Sequence, residues 1–399
     1  MRILVISHYF EPDITAAAYR ITETCELLRS SGHDVKVVTP YPHKNSRLTT
    51  DKLFYKKDWV TRVPIKKYRE GGIADYLLHY LSFFFSGFLA ALYVSLKWRP
   101  TIVWSTAPPL FTGLLGVVVA FLVRAKNVLD IRDVWPDSAV AAGQIKQDGI
   151  PYRLGRMLES FIYSRAVAIT CVSDMMSAYI QSRSPRTPVT TVYNGIKQSF
   201  ISTDSEQLCI EKRIVYAGNL GRVQGLMSLL SAFSILVESG YDRGRNLILV
   251  GDGVIKKELQ QRISELNLKN RVQLIDPIPK AELMSFISKS EILYIGLKTH
   301  SALELTIPSK LFDYLSVGRP ILAVIRGQGA SLLRSCADNV VVETEDEQLI
   351  ASGMEKIIES ASKTKFVAGN IALIGKRFTR EHNTNVLERV FYQLRDTSG

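Results

Sequence analysis

The feature that most constrains this chain is a repeated alternation of short apolar strands with amphipathic helices. It opens with a strand RILVIS (2–7) and a loop HYFEPDITAAA (8–18). A helical pattern YRITETCELLRSSGH (19–33), ended by Gly32, then leads to a strand DVKVVTP (34–40). Such a βαβ unit requires a parallel sheet, because a right-handed crossover through a helix returns the chain to the same strand direction. Further strands read at TIVWST (101–106), KNVLDI (126–131), AVAITCV (166–172) and PVTTVYN (188–194). A second series begins near Lys212, with strands RIVYAGN (213–219), NLILVGDG (246–253), RVQLIDP (271–277), EILYIGL (291–297) and PILAVI (320–325). At 399 residues the chain exceeds one ordinary core. The expected class is therefore α/β, with two doubly wound domains of residues 1–195 and 196–375 and a terminal helix of 376–399. Doubly wound sheets bind ligands beyond the carboxyl ends of their strands, so the expected site is a cleft where those ends of both sheets meet.

Four cysteines, Cys25, Cys171, Cys209 and Cys336, are widely spaced with no CxxC pair. They read as buried thiols in a reducing compartment, and neither a disulfide framework nor a zinc motif is expected. The opening MRILVISHYF has too short an apolar run for a secretory signal, so cytoplasmic residence is expected. Net charge is +12 and unevenly placed: residues 1–195 hold 24 Lys and Arg against 15 Asp and Glu, the remainder 26 against 23. A basic first half points to an anionic partner, a phospholipid surface or a phosphorylated substrate. No zinc-finger or RRM signature is present, so nucleic acid is not expected as a partner.

Two glycine-rich turns follow strands of the second series. In YAGNLGRVQGLMSLL (216–230), Gly218, Gly221 and Gly225 permit close backbone approach, and the following helix start presents free N–H groups to an anion. Arg222 in that turn is placed to neutralise a diphosphate. LVGDG (249–253) repeats the logic with Gly251 and Gly253. Ordinary tight βα turns are the alternative for both. In ELTIPSKLFDYLSVGRPIL (304–322), Pro308-Ser309 fits a helix start with Ser309 as cap. Lys310 then sits in the first turn, where the macrodipole disfavours a cation, which suggests an anionic ligand. Asp313, three residues on, is placed for ribose hydroxyls; a solvated surface pair is the alternative.

Taken in order, the glycine turn, VGDG and PSKLFDYLSVGRPI resemble the retaining GT-B glycosyltransferases of family 4. VYNGIKQSF (192–200) resembles that family's interdomain signature, and CVSDMMSAYI (171–180) its late N-domain turn. IRDVWPDSAVAAG (131–143) and GNLGRVQGL are similar to a bacterial O-antigen and capsule subgroup that includes N-acetyl-fucosamine transferases. The resemblance covers nearly the whole chain. It implies two Rossmann-like domains facing a deep cleft, with the C-terminal helix packing back on the N-domain. It further implies a nucleotide-sugar donor, most simply a UDP-sugar, on the second domain, with no metal and no other cofactor. Donor contacts would fall on Gly218, Asn219, Gly221, Gly225, Gly251, Gly253, Ser309, Asp313 and Glu304. Arg222 and Lys310 would stabilise the departing diphosphate, and TEDEQ (344–348) reads as a helix-start acidic cluster. Departures are visible: Asn219 and Gln224 replace the family's Arg and Lys, and Leu305 takes the place of a glutamate, with Glu304 one position off. Thr15-Ala16-Ala17 replaces the usual glycine pair. In the N-domain the resemblance makes Asp133 the candidate for assisting the acceptor hydroxyl, oriented by Asp130 or Arg132, with Glu11, Tyr19 and Arg20 contacting the acceptor.

The acceptor class is suggested by residues 52–123. KLFYKKDWVTRVPIKKYR (52–69) interleaves Lys52, Lys56, Lys57, Arg62, Lys66, Lys67 and Arg69 with Phe54, Tyr55, Trp59 and Tyr68. Basic-plus-aromatic composition suits an anionic headgroup surface, and equally a nucleic-acid stripe or a solvated loop; the apolar run that follows favours the membrane. YLLHYLSFFFSGFLAALYVSL (76–96) follows, 21 residues without a formal charge and long enough to span a bilayer. His79, Ser82, Ser86, Ala90 and Tyr93 recur at helical spacing, which suits a helix packed on the sheet along one stripe and docked peripherally on the inner membrane. A lipid-linked saccharide acceptor follows. A GT-B-fold nucleotide-sugar epimerase and a non-catalytic membrane-bound scaffold are the competing readings.

Overall fold

A computed structural model describes residues 1–43, 57–67, 73–201, 210–336, 338–363 and 366–396. Lys52, Phe54, Tyr55, Lys56, Tyr68, Arg69 and Cys209 of the sequence reading lie outside these. The chain divides into two compact units, Met1–Asn194 together with Arg380–Gly399, and Gly195–Thr379.

The first unit is built on seven strands: β1 (Arg2–Ile6), β2 (Asp34–Pro40), β3 (Val60–Val63), β4 (Ile102–Ala107), β5 (Lys126–Ile131), β6 (Ala168–Cys171) and β7 (Val189–Thr191). Their order is β3-β2-β1-β4-β5-β6-β7, and every pairing is parallel. Helix α1 (Ala16–Ser30) starts three residues before the expected point, because the Thr15 hydroxyl accepts a hydrogen bond from the Ala18 amide at 3.1 Å. The sequence TAA at 15–17, where the resemblance implied a glycine pair, is thus a helix start with its own cap. Strand β3 lies inside the basic-aromatic stretch and was not expected there, since its cations hide a four-residue edge strand.

The uncharged run folds as α2 (Ile73–Trp98), which packs on α3 (Leu110–Val123) and the sheet. Its buried positions are His79, Phe83, Gly87, Ala91 and Ser95, a strict four-residue repeat. The expected stripe was offset: Ser82, Ser86 and Ala90 lie at the margin, and Tyr93 faces outward. A Cβ on Gly87 would stand 3.0 Å from the Leu115 side chain, so a small residue sets the approach to α3. Of the apolar stretch long enough to cross a membrane, 22% is buried. Residues 101–123, also without a formal charge, supply β4 at the middle of the sheet and α3.

One buried ion pair ties α1 to the sheet. Arg20 donates to both carboxylate oxygens of Asp130, at the end of β5, at 2.5 and 2.8 Å, and Thr170 donates to the same carboxylate at 2.8 Å. Burial alone would push the Asp130 carboxyl up, yet Arg20, Arg132 and Thr170 together hold it below its ordinary value. The expected single terminal helix is two: Ala368–Arg377 belongs to the second unit and Arg380–Asp396 to the first. The latter buries Leu387, Val390 and Phe391 in the first core beside Ile3, Val5 and Trp104.

The second unit holds six parallel strands: β8 (Glu211–Ala217), β9 (Asn246–Val250), β10 (Val272–Ile275), β11 (Ser290–Gly296), β12 (Ile321–Val324) and β13 (Val340–Val342). Their order is β10-β9-β8-β11-β12-β13. Strand β13 has three residues, too short for the alternation to reveal. The chain direction across the sheet reverses between the adjacent central strands β8 and β11, which is where a doubly wound sheet opens a ligand crevice. Both units therefore have the expected Rossmann-like architecture.

Candidate functional site

Strand β8 ends at Ala217, and Gly218–Gly225 form the turn into the helix Leu226–Glu238. Gly218 has φ +146°, and a Cβ there would lie 2.8 Å from the Lys310 Nζ. The second glycine turn is laid directly on the first. The Gly218 amide donates to the Val250 carbonyl and the Leu220 amide to the Asp252 carbonyl, each at 2.9 Å. A Cβ on Gly251 would stand 1.8 Å from the Gly218 carbonyl oxygen, so only glycine fits that approach. Tyr216 Oη donates to the Asn219 carbonyl at 2.6 Å and fixes the near side of the turn.

Opposite this turn begins the helix Ser309–Ser316. Its cap position is Pro308, with no side-chain cap bond, so Ser309 is its first helical residue and not the cap expected from sequence. The Lys310 stem keeps some exposure, but its Nζ is enclosed, has no hydrogen-bond partner and lies 3.8 Å from the Tyr216 ring centroid. Burial pushes the ammonium down to about 7, against a smaller upward pull from Asp313. Two other enclosed polar atoms beside the turn lack partners: Tyr294 Oη and Gln224 Oε1. Tyr294 Oη lies 2.6 Å from where a Cβ on Gly296 would stand, and Gln224 Oε1 2.7 Å from one on Gly221. An enclosed cation, a hydroxyl and an amide oxygen without partners, around backbone no side chain obstructs, make a receptor for a ligand with anionic oxygens and hydroxyls.

The remaining donor-side residues are less concentrated. Arg222 and Asn219 are exposed on the turn, and Glu304 closes a short helix, Ser301–Glu304. The Asp313 carboxylate is engaged by Lys280 at 2.5 Å, a partner the sequence did not suggest. In the acidic stretch 344–348, Asp346 Oδ1 accepts from the Leu349 amide at 2.9 Å, so it does open a helix. Gln224 stood out from sequence only as a departure, and Tyr294 carried no signal beyond its place at the end of a strand.

In the first unit, Asp133 lies two residues beyond β5. Burial pushes its carboxyl up to about 6, against hydrogen bonds from Ser138 and the Val134 amide and the nearby Arg132 charge. Arg132 donates to Asn194 at 2.9 Å, and its enclosed Nη1 has no partner. Arg20 and Asp130 are 2% and 0% exposed and saturate each other, so neither offers a surface to an acceptor. Their expected role in acceptor contact is corrected to one of holding the strand end that carries Arg132 and Asp133. Tyr19 is half-buried in the first turn of α1, and the Glu11 backbone is pinned by Thr22 and Arg62. A groove of about 430 Å³ runs between Leu77, Tyr80, Phe111, Trp135, Ile150 and Leu154, with Trp135 two positions after Asp133 in the chain.

Residues 15–195 match the Glycosyl transferase 4-like domain and residues 203–395 the Glycosyl transferases group 1 domain. With the two parallel-sheet units, this places the chain among the GT-B glycosyltransferases of the family-4 type. It is 26% identical over 246 residues to WbjE of Pseudomonas aeruginosa, named as a glycosyltransferase, covering 59% of this chain and 60% of that protein. It is 24% identical over 385 residues to WcaI of Escherichia coli K12, named as a colanic acid biosynthesis glycosyl transferase, covering 90% and 92%. Among solved structures, HepE of Anabaena in complex with UDP-glucose superposes with a TM-score of 0.72 at 14% identity, over 98% of this chain and 100% of that one.

Lys310→Met removes a cation that the fold encloses without an acceptor. The lysine titrates near 7 when folded and near 10.5 when unfolded, so it costs stability increasingly as pH falls from 10.5 towards 7. The variant should therefore melt higher than the parent at pH 7, while its UDP affinity falls by about 2–5 kcal/mol. Thermal melts and calorimetric titration with UDP check both halves; unchanged UDP affinity would remove Lys310 from the site.

Proposed function

We propose that the protein is a retaining, metal-independent glycosyltransferase. It would move a hexose or N-acetylamino sugar from a UDP-sugar to a polyprenyl-diphosphate-linked saccharide during assembly of bacterial surface polysaccharide, O-antigen, lipopolysaccharide or capsule. The observation that carries the donor half is the enclosed, unpartnered Lys310 ammonium against the bare backbone at Gly218. A donor diphosphate supplies the acceptor atoms this cation lacks, and the N–H groups of the Gly218–Gly225 turn and the helix starting at Ser309 add to it. Arg222 is close in sequence to close over the outer phosphate; Gly221, Gly225, Gly251 and Gly253 keep the approach clear. Charge builds on that diphosphate as the sugar departs, so the same cation acts where transition-state stabilisation is greatest. Names of relatives agree with this reading: WcaI is named for colanic acid biosynthesis and HepE was crystallised with UDP-glucose.

For the acceptor half, Asp133 takes the proton of the attacking hydroxyl, and Arg132 with its unpartnered Nη1 draws an anionic group of the acceptor. The apolar groove lined by Trp135 suits the first isoprene units of a lipid carrier. Its rim joins exposed apolar side chains of α2, α3 and the helix Ile150–Arg165, among them Phe85, Leu89, Phe121, Leu154 and Met157. A belt of that kind on a basic unit fits peripheral docking on the cytoplasmic face of the inner membrane, the proposed location.

Incubation with a panel of UDP- and GDP-sugars tests the reaction class. Slow hydrolysis of one donor to sugar and nucleotide is expected; a 2-epimerised product would mark an epimerase, and absence of nucleotide binding a scaffold. Asp133→Asn should lower transfer by about 10²–10⁴-fold with UDP binding intact. The wild-type rate should rise with pH through about 6 as the carboxyl ionises, and unchanged turnover in the variant would remove Asp133 from the mechanism. Vesicles test the docking: the parent should float with anionic phospholipid vesicles and Phe85→Glu/Leu89→Glu should not, whereas equal flotation of both would contradict the docking face.

A further inference from the structure

Three side chains that the reaction above does not use converge in the first unit. His8 lies just beyond β1, His43 beyond β2, and His79 in the early turns of α2, positions with no sequence spacing in common. One ring nitrogen of each lies within 4.8 Å of the other two. His8 Nε2 and His79 Nε2 are 3.1 Å apart, and the three ring-centroid separations are 5.0, 5.0 and 5.4 Å. All three are enclosed: His8 and His79 are 1% and 5% exposed, and the His43 side chain 7%.

The outer contacts of two rings have the form that orients metal ligands. His79 Nδ1 lies 2.6 Å from the Lys66 carbonyl, which places its proton there and turns the Nε2 lone pair towards His8. His43 Nδ1 lies 3.2 Å from the Tyr41 carbonyl and 3.6 Å from Asp13 Oδ2. Asp13 Oδ1 also accepts from the His43 amide at 2.9 Å, so the carboxylate is fixed on that side of the ring. A carbonyl or carboxylate on Nδ1 orients an imidazole so that Nε2 is its ligating atom and raises its basicity. Tetrahedral zinc with bonds of about 2.0–2.1 Å sets its nitrogen ligands about 3.3 Å apart, close to the observed His8–His79 separation. The His43 ligand atom stands farther off, within 4.8 Å of the other two, so binding requires a shift of its ring. Tyr9, Tyr80 and Phe83 wall the cluster, with ring centroids 4.9 to 5.1 Å from His8.

We propose that His8, His43 and His79 bind one divalent transition-metal ion of the Zn²⁺ type, with three imidazole ligands and one coordination position left open. Imidazole donors select such an ion over Mg²⁺ or Ca²⁺, which take oxygen ligands. The open position accepts water or an anionic oxygen. This site belongs to the unit that does not carry Lys310, and it stands whether or not the donor reading holds. The expectation of no metal came from the family resemblance; these three histidines meet only once β1, β2 and α2 are assembled.

The test uses the full chain, stripped with a chelator and titrated with Co²⁺ alone. Saturable uptake of one ion per chain, with the intense visible absorption of four-coordinate Co²⁺, is expected; Zn²⁺ should displace it and excess Mg²⁺ should not. His43→Ala should abolish the visible bands, and Asp13→Asn should weaken binding about 10- to 100-fold. UDP titration and circular dichroism on both variants confirm that the chain still folds. Absence of saturable uptake by the parent, or uptake indifferent to both substitutions, overturns the proposal.

Discussion

The second unit is organised around one electrostatic constraint: the Lys310 ammonium is enclosed without an acceptor, at the start of a helix whose dipole opposes a positive charge. Its position over the Tyr216 ring and the nearby Asp313 charge compensate part of that. The constraint explains the surrounding sequence. Gly218 is held to glycine by its φ of +146°, with Lys310 Nζ beside it, and Gly251 because a Cβ would strike the Gly218 carbonyl. Tyr294 and Gln224 share the same condition, with polar atoms enclosed and unanswered. A fold tolerates such a cluster when a ligand completes it, and local rules are broken in this way where function resides.

The first unit is organised differently, around a satisfied pair. Arg20 and Asp130 saturate each other inside the sheet, and their rigidity holds the end of β5, where Arg132 and Asp133 follow. Breaking such a pair leaves an uncompensated buried charge, at a cost of about 3–5 kcal/mol. In the proposed reaction the paired residues position and the residues beyond them act. The apolar groove beside Trp135 and the outward face of α2 add a second physical character to the same unit, suited to a lipid carrier.

Much of this was legible from sequence for a physical reason. Parallel strands buried on both faces are continuous apolar runs, so eleven of the thirteen described strands stood out. Strand β3 was masked by the cations around it and β13 by its three-residue length. Lys310 was legible because a cation in the first turn of a helix violates a local preference. Ser309 as cap was not, since Pro308 takes that position, and Asp313 was read without Lys280, which lies 33 positions earlier. Residues that meet only through tertiary assembly left no pattern: Arg20 with Asp130, Tyr294 with Gln224, and the three histidines. The stripe on α2 was displaced because its buried side mixes polar His79 and Ser95 with Phe83, Gly87 and Ala91, a set that polarity alone does not mark.

The central claim is that a diphosphate completes the enclosed Lys310. Protonation linkage tests it most directly, by calorimetric titration of UDP at pH 8 in buffers of different ionisation enthalpy. With the free lysine titrating near 7, the ammonium is mostly neutral at pH 8 and must take up a proton to pair with the ligand. The account predicts uptake approaching one proton per UDP, absent in Lys310→Met. Tight UDP binding by the parent with no proton uptake would contradict it.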